Sequence, residues 1–262
     1  MSGSIRFDRA VEFYDQTRAI SAESMERTIE LLASELGGRG RVLEVGVGTG
    51  LLALPLHERG VPIAGLDLSE SMLARLVEKA VGSPPFPLVL GDATRMPFPD
   101  DAFGAAYLRW VLHLIPDWRV TLGEVVRVVR PGGVFLAVLG NYGGPREEIA
   151  DRFAELTGLD LRVVGLEWAA SDQLDEEMAR LGAARREVPQ VHEVMDEPLG
   201  SFIESIAEGR WSWTWKVPED LRRRTAQEIR PWARERFGPL DAPHPEELAT
   251  LWCVYDLPER GA

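Results

Sequence analysis

The stretch Arg41-Val42-Leu43-Glu44-Val45-Gly46-Val47-Gly48-Thr49-Gly50 decides how the chain is read. An apolar run ends in an acid, three glycines follow on alternate positions, and a helical pattern opens at Leu51: strand, tight turn, helix. Glycine tolerates positive φ and, having no Cβ, lets a ligand lie against the main chain. The helix N-terminus beyond the turn offers unpaired N–H groups to an anion.

Two ligand classes compete for such a loop. A dinucleotide turn spaced G-x-G-x-x-G would need its third glycine at Leu51, counted from Gly46, or at Ala53, counted from Gly48. Neither register fits. Glu44-x-Gly46-x-Gly48-x-Gly50 resembles instead the first motif of the class I S-adenosylmethionine-dependent methyltransferases, whose ligand has no pyrophosphate. The resemblance implies S-adenosylmethionine as cofactor, with Glu44, Gly46, Gly48 and Gly50 in its binding loop. A glycine-rich turn with no ligand is the bland alternative.

Downstream residues continue the pattern in order. Val61 to Asp67 reads as a buried strand finishing in an acid, placed about 20 residues past the glycine loop, where a carboxylate accepts from both ribose hydroxyls. NAD and S-adenosylmethionine sites share that geometry, and a helix cap is the competing role for Asp67. Asp67-Leu68-Ser69-x-x-Met72-Leu73 resembles the second motif, which implies Leu68 and Met72 against the adenine. A methionine at helical spacing also suits an ordinary core. Gly91-Asp92-Ala93, then a proline-rich loop and Asp101-x-Phe103, resembles the third motif. There the Asp92 side chain and the next N–H read the exocyclic amine and ring nitrogen of adenine, one acceptor and one donor; a solvated turn is the other reading of Asp92. Glu124-x-x-Arg127-Val128-x-x-Pro131-Gly132-Gly133 completes a resemblance that spans roughly residues 41 to 140.

The implied fold is α/β: a Rossmann-like, doubly wound, seven-stranded and mostly parallel sheet with an antiparallel last strand and a helical cap. Expected divisions are 1–40, an N-terminal helical segment closing over the cofactor; 41–196, the methyltransferase core; 197–245, a cap insertion; and 246–262, the final strand. Ser21 is expected to open a helix with Met25, Ile29, Leu32 and Leu36 inward. Further expectations are a helix from Leu51 to Arg59 interrupted by Pro55, and one after Pro116 with Val120, Leu122, Val125, Val126 and Val129 inward. Late in the chain come helices at 145–156, 172–181, 198–208 and 218–236, one strand over 185–194, and a last strand over 248–257. Arg210-Trp211-Ser212-Trp213-Thr214-Trp215 alternates in a way that suggests one aromatic face. A substrate cap and an extra packed layer are equal readings of it.

Two regions carry the candidate chemistry. Tyr14-Asp15-Gln16-Thr17-Arg18 resembles the segment that closes over the cofactor, with Tyr14 near the reacting end and Arg18 on the amino-acid carboxylate, a job that suits a planar two-donor fork. A packed aromatic beside an exposed arginine is the alternative. The fourth strand empties into Arg109-Trp110-Val111-Leu112-His113, and ligands of open parallel sheets sit beyond strand carboxyl ends, so Arg109 and His113 point to the reaction face. No Asp/Asn-Pro-Pro-aromatic run stands there, against an amino-methylating nucleic-acid enzyme. Methyl transfer from a sulfonium is an in-line displacement in which alignment alone can contribute about 7–11 kcal/mol. A base is needed only when the acceptor must lose a proton. His113 is the candidate base and Tyr14 an orienting group, with a merely packed His113 as the alternative.

Bulk composition narrows the partners. Against 29 basic residues stand 42 acidic ones, a net charge of −13, which repels phosphate backbones and anionic membranes. The single Cys253 leaves no disulfide framework or cysteine metal cluster, and no metal is expected. No apolar run reaches membrane-spanning length, and Met1-Ser2-Gly3-Ser4-Ile5-Arg6 leads into charge, so a cytoplasmic protein is expected, with a homodimer admitted. The function implied is methyl transfer to a small-molecule acceptor, similar to the type 11 group that includes quinone-biosynthesis C-methyltransferases. An NAD(P)-dependent oxidoreductase and a non-catalytic S-adenosylmethionine-binding protein are the rivals.

Overall fold

The computed structural model describes residues 3–18, 20–139, 144–159, 164–167 and 170–259; Met1-Ser2 and residues 260–262 of the expected final segment lie outside them. In chain order the elements are α1 (Tyr14–Arg18), α2 (Ala22–Leu36), β1 (Val42–Val45), α3 (Ala53–Glu58), β2 (Ile63–Asp67), α4 (Glu70–Lys79), β3 (Leu88–Leu90), β4 (Phe103–Arg109), α5 (Trp118–Val128) and β5 (Val129–Val138). They continue as α6 (Gly144–Thr157), α7 (Ser171–Arg180), β6 (Ala184–Arg186), β7 (Val191–Met195), α8 (Leu199–Ala207), α9 (Glu219–Phe237), β8 (Glu246–Thr250) and β9 (Trp252–Asp256). Two compact units result: Met1–Gly140 with Val164–Val191 and Thr250–Ala262, and Asn141–Val163 with His192–Ala249.

The first unit is built on a seven-stranded sheet in the order β3-β2-β1-β4-β5-β9-β6. Strands β3, β2, β1, β4 and β5 pair in parallel, and β9 runs antiparallel to both β5 and β6. All four β1 residues are buried, as a central strand covered on both faces requires. Alternate residues supply opposite layers: Leu43, Val45, Ala106 and Phe135 pack with Trp118, Leu122 and Leu174 on one face. Val42, Ile63, Tyr107 and Leu136 pack with Ile29, Leu32, Leu36 and Leu56 on the other. From β1 the chain winds outward through β2 and β3, then returns to place β4 on the other side of β1. That reversal falls at the carboxyl end of β1, the position at which open α/β sheets bind ligands.

Local signals set the helix ends. Ser21 Oγ accepts from the Ser24 N–H at 3.1 Å and Ser69 Oγ from the Met72 N–H at 3.2 Å, each an N-cap worth about 1 kcal/mol. Pro55 does not interrupt α3, because it sits in the first turn, where its missing N–H has no partner to lose. In α5 the buried stripe is Trp118, Thr121, Leu122, Val125 and Val128; Val120 is 51% exposed, and Val129 already belongs to β5. Met25 on α2 is only half-buried, and Thr28 takes the inner place.

Three late expectations are corrected. The stretch 185–194 is two strands, β6 in the large sheet and β7 in a two-stranded sheet with β8, since Pro189 and its neighbours break the run. The stretch 248–257 divides likewise between β8 and β9. Ser212–Thr214 form a 3₁₀ turn, so the three tryptophans do not share one face. Trp211 Nε1 donates to Ser205 Oγ at 2.7 Å, Trp215 Nε1 donates to the Gly209 carbonyl at 2.8 Å, and the Trp213 ring meets Phe153 edge-on at 5.7 Å. Trp211 and Trp213 pack on the second unit's own core of Ile149, Phe153, Phe202, Ile203 and Ile229.

Gly104 and Gly123 make opposite demands. A Cβ at Gly104 would lie 1.6 Å from the Arg39 carbonyl oxygen, whereas one at Gly123 on α5 meets nothing within 4 Å. Gly104→Ala is therefore expected to lower the melting temperature sharply or abolish soluble expression. Gly123→Ala should raise stability by about 0.5–1 kcal/mol, as chemical denaturation would register.

Candidate functional site

The glycine turn and the end of β2 are joined by one carboxylate. The Gly48 N–H donates to Asp67 Oδ2 and the Ser69 N–H to Asp67 Oδ1, each at 2.8 Å. Gly48 has φ +53°, and a Cβ there would point at the Tyr14 ring, 3.7 Å from Cε1. Gly46 is closed over by Val111, whose Cγ2 would stand 2.5 Å from an added Cβ, and Gly50 by Leu76 and Leu54. Two of the three glycines thus serve packing, and Gly48 opens toward the aromatic ring. Burial raises the Asp67 carboxyl above its ordinary value, opposed by the amides of Ser69, Gly48 and Leu68.

Glu44 lies beneath the turn, only 4% exposed. It accepts from Tyr107 Oη at 2.8 Å, and the Ala53 amide at the start of α3 also points to it. Burial pushes its carboxyl up to about 8, against the pull of Tyr107 and Arg109. Met72 is 2% exposed on the inner side of α4, and Leu68 and Ala93 are half-buried. Asp92 Oδ1 accepts from the Thr94 N–H at 2.9 Å and from Thr94 Oγ1 at 2.8 Å, which fixes the turn after β3.

Beyond β4 the backbone turns through Trp110 at φ +56°. The Arg109 guanidinium stacks 3.8 Å over the Trp110 ring and donates to the Arg18 carbonyl at 3.3 Å. Arg18 in turn lies 5.9 Å from the Tyr14 ring centre. Burial pushes the Tyr14 phenol up, with Arg18 and Arg109 acting in the opposite sense. His113 sits in the 3₁₀ turn Leu112–Leu114, 7% exposed, and burial followed by the charge of Arg18 lowers its imidazole to about 3. At neutral pH it is uncharged.

Sequence reasoning passed over several of the residues that hold this site together. Tyr107 gave no signal apart from its place in an apolar strand. Glu124 and Arg127 were visible only as part of a pattern, and the structure shows their work. Arg127 donates to Glu124 Oε1 at 2.7 Å and to the Phe98 and Met96 carbonyls at 2.7 and 3.0 Å, while the Met96 N–H donates to Glu124 Oε2 at 2.7 Å. The pair pins the proline-rich loop that follows the Asp92 turn. Among the described residues no three His, Cys, Asp or Glu side chains cluster as a metal site would need.

This arrangement has counterparts. The family model described as "Methyltransferase domain" matches residues 43–137, about a third of the chain. A phosphatidylethanolamine N-methyltransferase of Cereibacter sphaeroides is 38% identical over 128 residues, 48% of this chain and 62% of the relative. A demethylmenaquinone methyltransferase of Mycolicibacterium paratuberculosis is 33% identical over 130 residues, 48% of this chain and 54% of that protein. The chain thus spans between about half and 62% of the length of these curated relatives. The solved YcgJ protein of Bacillus subtilis shares the fold at TM-score 0.59 and 20% identity, covering 92% of this chain and all of the other.

Glu44 makes the site's stability depend on pH. Its folded-state carboxyl, at about 8, lies above the ordinary 4.5, so folding favours the protonated form. That contribution is complete below about pH 4.5 and is lost as pH rises through about 8. Glu44→Gln, which keeps the shape without the charge, should match the parent's melting temperature below about pH 4.5 and exceed it increasingly up to about pH 8 and above. Parallel curves for the two proteins would contradict the assignment.

Proposed function

We propose that this chain transfers a methyl group from S-adenosylmethionine to a small-molecule acceptor. The observation that carries the reading is the Asp67 carboxylate at the carboxyl end of β2, bound to the Gly48 amide inside a stretch that matches a methyltransferase family. The residues fit such a ligand. Asp67 Oδ2 accepts the Gly48 N–H and Oδ1 the Ser69 N–H, and a carboxylate with about four lone-pair sites has an acceptor position left for a ribose hydroxyl beside its backbone donors. The bare Gly48 backbone faces the Tyr14 ring, which would stand at van der Waals distance from a Cβ there.

The bound cofactor supplies an activated methyl on a sulfonium: the acceptor's nucleophile bonds to the methyl carbon as the carbon–sulfur bond breaks, and the thioether leaves uncharged at sulfur. The protein's own part is alignment and exclusion of water. We assign Gly46, Gly48 and Gly50 to the cofactor turn, Asp67 to the ribose, Leu68 and Met72 to the adenine face, and Asp92 with Ala93 to its edge. Arg18 takes the amino-acid carboxylate, with Arg109 and Glu44 completing that end. Tyr14 orients the reacting groups. His113 is assigned as the candidate base, although burial that lowers its imidazole to about 3 makes it a weak one and favours holding the acceptor by a hydrogen bond.

Acceptor selection is assigned to the part outside residues 43–137, including the expected cap at 197–245. The relatives act, by their names, on a phospholipid amine and on a quinone precursor, so the acceptor class stays at small molecule. No helix among the described residues is long and apolar enough to cross a membrane. A net charge of −13 supports a reading with no nucleic-acid partner; the same reading takes a cytoplasmic setting and admits a homodimer.

Thermal-shift assays should show stabilisation by S-adenosylmethionine and S-adenosylhomocysteine but not by NAD; a shift with NAD alone would reject the reading. Asp67→Ala should weaken S-adenosylhomocysteine binding at least about tenfold in calorimetry, since hydrogen bonds to a charged group contribute about 1.5–3 kcal/mol. Methyl-donor consumption across a metabolite panel separates an enzyme from a binding protein.

A further inference from the structure

The N-terminal segment, outside the matched 43–137 stretch, crosses the carboxyl ends of the three adjacent strands that form the site. Beyond β4, the Ile5 N–H donates to the Leu114 carbonyl at 3.0 Å. Beyond β2, Asp8 Oδ1 accepts from Ser69 Oγ at 2.6 Å and from Ser71 Oγ at 2.9 Å. Beyond β1, the Tyr14 ring lies beside Gly48, and Asp15 Oδ1 accepts from Thr49 Oγ1 within the glycine turn. The other Asp15 oxygen pairs with Lys79 Nζ on α4 at 2.9 Å. Ala10, 1% exposed, and the edge-to-face pair Phe7–Tyr14, 5.9 Å between centres, give the segment an apolar seat as well.

The two carboxylates attach to residues that also build the cofactor loops. Ser69 gives its N–H to Asp67, accepts the Met72 N–H on its hydroxyl, and donates that hydroxyl to Asp8. A continuous chain of hydrogen bonds thus runs from Asp8 through Ser69 and Asp67 to the Gly48 amide. Asp15 reaches the same turn from the other side, at the residue next to Gly48. Both links are partly exposed, with Asp15 and Lys79 side chains 34% and 26% accessible and Asp8 at the surface. Such links form and break easily in water.

We propose that Asp8 and Asp15 are positioning residues that fasten the N-terminal segment across the cofactor loops and set the rate at which cofactor and product exchange. The inference rests on the proposed methyltransferase function. Because the segment bridges all three strand ends, a bound adenosine ligand leaves only after Asp8 and Asp15 release Ser69, Ser71, Thr49 and Lys79. Neither carboxylate touches the reacting atoms.

The test uses the full chain and S-adenosylhomocysteine, displaced by excess S-adenosylmethionine in a rapid-mixing experiment. Asp8→Ala and Asp15→Ala, which remove the acceptor oxygens, should each raise the dissociation rate about fivefold, the size of a partly exposed polar contact, and the double variant about 25-fold if the links are independent. Lys79→Met should reproduce part of the Asp15→Ala effect from the opposite side. Melting temperatures without ligand should stay within a few degrees of the parent, a result that a purely structural role would not give alongside faster release. Parent-like release from variants that bind, or faster release only in step with lost thermal stability, would overturn the inference and leave the methyltransferase reading intact. If the double variant does not fold, the single variants and Lys79→Met decide. A parent chain that binds neither ligand overturns both.

Discussion

One desolvated carboxylate at the end of the second strand takes an amide from the glycine turn and another from the start of α4. It joins two loops that belong to different β–α units, beside the Gly46 and Val47 amides that donate to the Leu66 carbonyl. An acid there is costly, because burial opposes its ionised form, and its cost is offset only by the donors aimed at it. The strand order makes the meeting possible, since β2 lies beside β1 and the chain reverses on the other side of β1.

Around this tie the polar residues divide by burial. Glu44 and Tyr107 form a closed pair beneath the turn, with the acid shifted to about 8. His113 is buried and uncharged, while Arg18 and Arg109 bring two guanidinium groups to the side where Tyr14 stands. The site thus brings fixed positive charge, an aromatic ring and the Asp67 acceptor oxygens to the glycine turn. Glu124 and Arg127 play a different part: they hold the loop after β3 by its backbone, so that Asp92 is presented from a fixed turn.

The second unit shows how an aromatic pattern misleads. Alternation implies a shared face only when the chain is extended, and a 3₁₀ turn at 212–214 sends the tryptophans to separate partners. Its buried Arg146–Glu246 pair, 2.7 Å apart, ties α6 to β8 across a separation no local rule describes.

By itself the sequence determined the order of strands and helices through residue 140, the capping serines, the choice against a dinucleotide turn, and Asp67 as the acid at the strand end. Each depends on interactions within a few residues: side-chain periodicity, a cap three positions on, a glycine at a set spacing. Only the tertiary structure decided that Tyr107 answers Glu44, that Asp8 reaches Ser69, that Asp15 reaches Thr49, and that residues 185–194 serve two sheets. Those partners lie 63, 61 and 34 positions apart, and which distant donor meets a given carboxylate is fixed by strand order and helix placement, quantities that no local pattern contains.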